Sequence, residues 1–228
     1  MAASEAREAF VALASNPAVV TIDMHRGHLD PAVATLPLPA GAASSLVARV
    51  VPLLDRYRDL RIPVVHLVTS YRSRAEILSN PYWRFQSERR GSPRRAVAEH
   101  NLEWLPGLEL MPGIKRAGDA LIQTKKRYDC FVGTDLEFVL NSGGHDSVLI
   151  VGVNTNSCVI ATTIAASVRD FAAFVVAEGV DTMLGPALHE AAQQVINASF
   201  GWVIDASSTL EILSARAQPA AAGVVAAV

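Results

Sequence analysis

Short, continuous apolar runs alternate with segments of helical period along most of the chain. Ala18–Ile22, Val64–Val68, Ala120–Thr124, Ser147–Val153 and Phe171–Val176 are such runs, and Trp202–Ile204 is a shorter sixth. A run that lacks polar alternation suits a strand buried on both faces, as in a parallel sheet covered by helices on either side. Between the runs, helical spacing predicts helices over Ser44–Leu60, Asp135–Leu140, Asn156–Asp170, Ala187–Ala198 and Ser208–Ala215. Strands bracketed by helices predict a doubly wound α/β fold, a mostly parallel sheet of about six strands with helices on both faces. Pro52 should kink the first of these helices, since it lacks an N–H and crowds the preceding turn. Thr134-Asp135-Leu136-Glu137 has the form of a capping box for the second helix, and Asn141–Gly144 closes it.

Tyr71 to Arg116 breaks the pattern. It is a stretch of about 45 residues with no sustained period, rich in Arg, Pro and aromatics, and too long for a simple connection in a compact domain. The expectation is one domain over residues 1–228, with a lid or insertion at 71–116 beside the binding site.

Composition narrows the class. Half of the 228 residues are hydrophobic, enough for a large core, and the net charge of −2 comes from scattered residues. No basic face suited to nucleic acid emerges, and no apolar run is long enough to span a membrane. Two cysteines and an N-terminus without a long apolar stretch point to a reducing, cytoplasmic setting. The apolar tail over 219–228 could be a frayed end or a subunit contact.

In an open α/β sheet the ligand lies beyond the carboxyl ends of the strands. Three chemistry-bearing residues fall at such ends: Asp23 after the first strand, Lys125 after the third, and Cys158 just past the fourth. An ammonium and a helix N-terminus favour thiolate, and a carboxylate can carry the thiol proton. Cys130, within Tyr128–Phe131, suits a small buried apolar residue.

The motifs Val20-Thr-Ile-Asp-Met24, Thr124-Lys-Lys-Arg-Tyr-Asp-Cys-Phe131 with Gly133-Thr-Asp-Leu-Glu137, and Gly152-Val-Asn-Thr-Asn-Ser-Cys-Val159 resemble the isochorismatase-like cysteine hydrolases. The resemblance runs from about residue 16 to 214. It implies a Rossmann-like fold, a catalytic triad of Asp23, Lys125 and Cys158, and no cofactor. It also implies a cis peptide at Val153–Asn154, with the N–H groups of Asn154 and Cys158 forming an oxyanion hole. The implied activity is hydrolysis of a C–N bond in a small amide or ureido compound, and the implied assembly is a homodimer or homotetramer. Vinyl ether hydrolysis by Asp23 is the alternative chemistry of the same fold, against which the presence of Cys158 argues.

Two departures stand out. His25 occupies a position where the family usually has Gln or Asn, and the Asp-x-His metal ligands of the nicotinamidases are missing from Val68–Arg72. His25 and His28 are separated as ligands on a helical turn would be, but Gly27 and Pro31 favour a loop, so no metal site is expected. The remaining candidates for substrate contact are Arg26 and Arg84 for a carboxylate, His28 and Phe131, and Trp83, Phe85 and Trp104 as walls around a planar or apolar group.

Overall fold

The computed structural model describes residues 2–217; the tail at 219–228 lies outside the described residues. Six strands form one parallel sheet: β1 Pro17–Ile22, β2 Val64–Thr69, β3 Ala120–Lys125, β4 Ser147–Val153, β5 Ala172–Asp181 and β6 Trp202–Ile204. Their order, β3-β2-β1-β4-β5-β6, runs outward in both directions from the β1/β4 pair. That pair is the topological switch point, where crossovers leave to opposite faces and open a crevice at the carboxyl ends.

Nine α-helical segments lie among the described residues. They are α1 Ala2–Leu13, α2 Arg26–Leu29, α3 Ala40–Asp59, α4 Arg74–Leu78, α5 Pro81–Glu88, α6 Leu136–Ser142, α7 Ile160–Ser167, α8 Pro186–Ser199 and α9 Ala206–Ala217. Alternate residues of each central strand enter opposite cores, as the two-residue strand period requires. Leu149, Val151 and Val153 of β4 join Phe10, Leu46, Leu54 and Tyr57 of α1 and α3. Val148 and Ile150 join Leu136, Leu140, Ala166 and Ile196 of α6, α7 and α8 on the other face. Every residue of β1, β2 and β4 is buried, which explains their unbroken apolar runs.

Several local expectations change. α3 continues through Pro52 without a break. The capping box does not close: Thr134 accepts from the Leu136 N–H through Oγ1, while Glu137 turns to Arg169 at 2.9 Å. The stretch from Tyr71 to Arg116 is not structureless. It holds α4, α5 and 3₁₀ turns at Arg95–Glu99 and Pro106–Leu108, with a small core of Tyr71, Ile77, Trp83, Val97 and Leu102. Helices of five and eight residues are too short to leave a readable period. Among the described residues, no helix is long and apolar enough to cross a membrane.

Candidate active site

Three strand ends converge through a fourth. Asp23 leaves β1 with φ +53°, a left-handed conformation uncommon outside glycine, its N–H bonded to the Leu67 carbonyl at 2.9 Å. Its Oδ1 accepts from the backbone N–H of Thr69 at 2.9 Å and from Thr69 Oγ1 at 2.8 Å. Its Oδ2 accepts from Lys125 Nζ at 2.6 Å. Because β2 lies between β1 and β3 in the sheet, Thr69 at the end of β2 spans the gap, accepting from Lys125 Nζ at 2.6 Å through the same hydroxyl. Lys125 also donates to Cys158 Sγ at 3.4 Å, so one ammonium touches both the carboxylate and the thiol.

Glycine brings the fourth strand in. A Cβ on Gly152 would lie 2.1 Å from the Ile22 carbonyl oxygen, and Gly152 has φ +122°, so no side chain fits where β4 closes on β1. A cis peptide links Val153 to Asn154. Thr155–Val159 then forms a π turn that places Cys158 and runs into α7. Such turns are rare and often sit at functional sites. The turn is pinned from the next crossover: Asn154 Oδ1 accepts from the Met183 N–H at 2.8 Å, and Thr182 Oγ1 donates to Asn156 Oδ1 at 2.6 Å.

Electrostatics follow from burial and pairing. Burial alone would raise the Asp23 carboxyl, but the Lys125 ammonium and His25 hold it well below the usual range. Burial works against the Lys125 ammonium, yet Asp23 keeps it well above the ordinary lysine value. Cys158 differs from the sequence-based expectation. Burial pushes its thiol up to about 11, more than Lys125 pulls it down, so the resting group is the thiol. Cys130 is fully buried and its thiol is pushed higher still by burial.

A cavity opens over this rim. Asp23, Lys125, Cys158 and Asn154 line its floor, with Thr69 and Ser157; Tyr71, Trp83, Arg94, Val97 and His100 come from the excursion. His28, Leu36, Arg127 and Tyr128 complete the wall. Of the residues expected to contact substrate, His28 and Trp83 line the cavity, Phe85 and Trp104 are exposed outside it, and three others are also placed away from it. Arg26 is committed to Asp30 at 2.8 Å and Glu109 at 2.7 Å. Arg84 is exposed on the outer side of α5. Phe131 is buried in the core beneath α6, stacked on Phe171 and covered by the Arg169 guanidinium.

Thr69, Arg94, His100, Tyr128 and Ser157 escaped the sequence reading. Thr69 could have been found, since it closes an apolar run as Asp23 does. His100 and Arg94 carry no local signal, because their approach to the rim depends on how the excursion folds back.

The histidines also change. His25 precedes and His28 lies within a genuine helical turn, α2, rather than an open loop, and His100 reaches them from the excursion. The three offer nitrogens within 4.8 Å of one another, all buried. His28 Nδ1 is anchored on the Leu36 carbonyl at 2.7 Å and His100 Nδ1 on Thr35 Oγ1 at 2.8 Å, which leaves each Nε2 available. Anchoring of the second nitrogen is what metal-bound imidazoles require. Burial holds His28 down to about 3 and His100 well below its usual value, so both are neutral near pH 7. Among the described residues these, and not the Val68–Arg72 segment, are the ones that could hold a metal ion.

Comparison with known proteins gives a consistent picture. The family model of the isochorismatase domain matches residues 17–208. A ureidoacrylate amidohydrolase, RutB, from Methylorubrum extorquens is 33% identical over 94 residues, 41% of this chain and 38% of that protein. The matched part thus spans well under half of the relative's length. A cysteine hydrolase from Pseudomonas syringae pv. phaseolicola superposes with a TM-score of 0.74 at 19% identity, covering 90% of this chain and 98% of that one. N-carbamoylsarcosine amidase from Thermoplasma acidophilum gives 0.62 at 24% identity, covering 84% and 96%. At these identities the structural likenesses speak for the fold.

Proposed function

The chain belongs to the isochorismatase family, and on that premise we propose that it is a cysteine-dependent amidohydrolase acting on a small amide or ureido compound. The observation that carries this reading is the single ammonium, Lys125 Nζ, in contact with both the Asp23 carboxylate and the Cys158 thiol at the floor of a cavity. The similar proteins include an amidohydrolase, a cysteine hydrolase and an amidase, which supports hydrolysis at a C–N bond.

In the proposed reaction Cys158 Sγ attacks the carbonyl carbon while its proton passes to Asp23. Because burial keeps the resting thiol protonated, this proton transfer belongs to the reaction. Lys125 stabilises the negative charge as it moves from carboxylate to sulfur and holds both groups in place. The N–H groups of Asn154 and Cys158 receive the oxyanion of the tetrahedral intermediate. Asp23 then gives its proton to the departing nitrogen, and the C–N bond breaks to leave a thioester on Cys158. A water deprotonated by Asp23 attacks the thioester, and the proton returns to the thiolate on release. The sheet and the 71–116 excursion act as one domain, the excursion supplying the outer wall of the cavity and its selectivity.

Incubation with a panel of small amides and ureido compounds, followed by acid quench and intact-mass measurement, should reveal an acyl adduct that maps to Cys158. Turnover of an amide with no adduct on Cys158, and undiminished rate after its removal, would sink this reading.

A further inference from the structure

Arg94 is nine-tenths buried and lines the cavity, yet among the described residues its guanidinium has no carboxylate and no hydrogen-bond partner. Its guanidinium lies over the face of Tyr128, 5.7 Å from the ring centroid, while its backbone N–H is held by Ser92 Oγ at 3.1 Å. The arginines that do form ion pairs are half-buried or exposed, Arg26 being half-buried and Arg72 and Arg116 exposed. A buried charge without a counter-charge is costly, and such groups are ordinarily paired. Arg127 stands on the same wall, its guanidinium bonded to the Lys126 carbonyl and Ser79 Oγ and set over the Trp83 ring, with no carboxylate partner among the described residues. The one carboxylate lining the cavity, Asp23, is taken by Lys125 and Thr69. The cavity therefore carries two cations with no anion among the described residues to match them.

We infer that the substrate is an acid: an amide or ureido compound bearing a carboxylate at the end away from the scissile carbonyl, with Arg94 as the group that binds that carboxylate. A guanidinium offers two parallel N–H donors that match a carboxylate, and low solvent access strengthens the pair. Tyr128 supports the guanidinium: its ring lies 5.7 Å from Arg94, and its hydroxyl accepts from Trp83 Nε1 at 2.8 Å. Arg94 is thus a specificity residue rather than a participant in bond cleavage. The inference rests on the amidohydrolase reading for the scissile end and on Arg94 alone for the acidic end.

The two ends can be tested separately. Substrates are compared in pairs that differ in charge at the far end: succinamate against butyramide, and N-carbamoyl-β-alanine against propylurea. The unaltered protein should favour the acid of a pair by roughly 10- to 100-fold in kcat/KM, the range expected of a hydrogen-bonded ion pair. Arg94→Gln should collapse that preference, mainly through KM, with a far smaller loss for the neutral partner. Arg94→Lys should restore part of it, since it keeps the charge without the paired donors. Binding of succinamate to Cys158→Ala, measured by calorimetry, reads the acidic end without any chemistry, and adding Arg94→Gln should weaken it by a similar factor. Equal turnover of acid and neutral partners by the unaltered protein would overturn the inference while leaving the amidohydrolase reading intact. Tight, Arg94-dependent succinamate binding with no turnover of any compound would do the reverse. Should Arg94→Gln fail to fold, the charge preference of the unaltered protein and the Arg94→Lys variant still decide the question.

Discussion

The carboxyl rim of the sheet and the excursion from Tyr71 to Arg116 face one cavity but are built on different terms. The rim is made of strand ends: Thr69 pairs with Lys125 just past a register shift in the β2/β3 ladder, and Asp23 is held from β2 by both a backbone and a side-chain donor. Each charged group there has its partner. The excursion has a small core of its own and brings Trp83, Arg94 and His100 over the rim, and there a buried guanidinium, set over the Tyr128 ring, is left without a carboxylate among the described residues. A site whose charges are satisfied internally is organised for a reaction, and one with an unmatched charge is organised for a ligand. Under the proposed function, chemistry and selectivity are divided between scaffold and excursion.

The sharpest way to break this division is to remove the proposed nucleophile. Cys158→Ala should lower amide turnover by on the order of 10³-fold or more with the fold retained. Near-normal turnover by a folded Cys158→Ala protein would dismiss the rim as the seat of the reaction.

Lys125→Ala probes the pairing itself. It strands the Asp23 carboxylate in a buried place, and breaking such a pair costs about 3–5 kcal/mol. Denaturant unfolding should show that loss, and Lys125→Ala combined with Asp23→Asn should recover part of it. A loss below about 1 kcal/mol, in the range of exposed pairs, would contradict a buried, mutually dependent couple.

The state of the thiol sharpens the contrast further. With Cys158 held near 11, its alkylation by iodoacetamide should be slow at pH 7. The rate should rise roughly tenfold per pH unit through the weakly alkaline range as thiolate accumulates. Peptide mapping should find Cys158 modified before Cys130, which lies fully buried outside the cavity. A fast, pH-independent reaction near neutrality would mean that Lys125 outweighs burial and that thiolate is the resting form.

The smallest effects belong to the excursion. Trp83→Phe removes the indole donor to Tyr128 and should shift KM or the ranking of substrates several-fold, with Cys158 alkylation nearly unchanged. Arg84→Ala, on the exposed side of the same helix, should change neither activity nor stability beyond about 0.5 kcal/mol. A strong kinetic effect at Arg84 would place the working face of α5 on its other side.

Strand content, parallel pairing and the three strand-end residues were legible because burial on both faces leaves an unbroken apolar run, and each run stops where the chain meets the rim. Asp23, Lys125 and Cys158 could be singled out for that reason, and the family motifs surrounding them added their order. Three features were decided by tertiary structure alone. Arg26 and Phe131 were drawn away from the cavity, one by Asp30 and Glu109 and the other by the core. The Cys158 thiol was raised because burial, which no local pattern reveals, outweighs a neighbouring ammonium. Arg94 and His100 were brought to the rim by short helices and turns whose few apolar residues have no period to read. A sequence records which residues must be buried together in regular elements. Which polar group then meets which, and which is left unmatched, depends on distances closed only when the chain has folded.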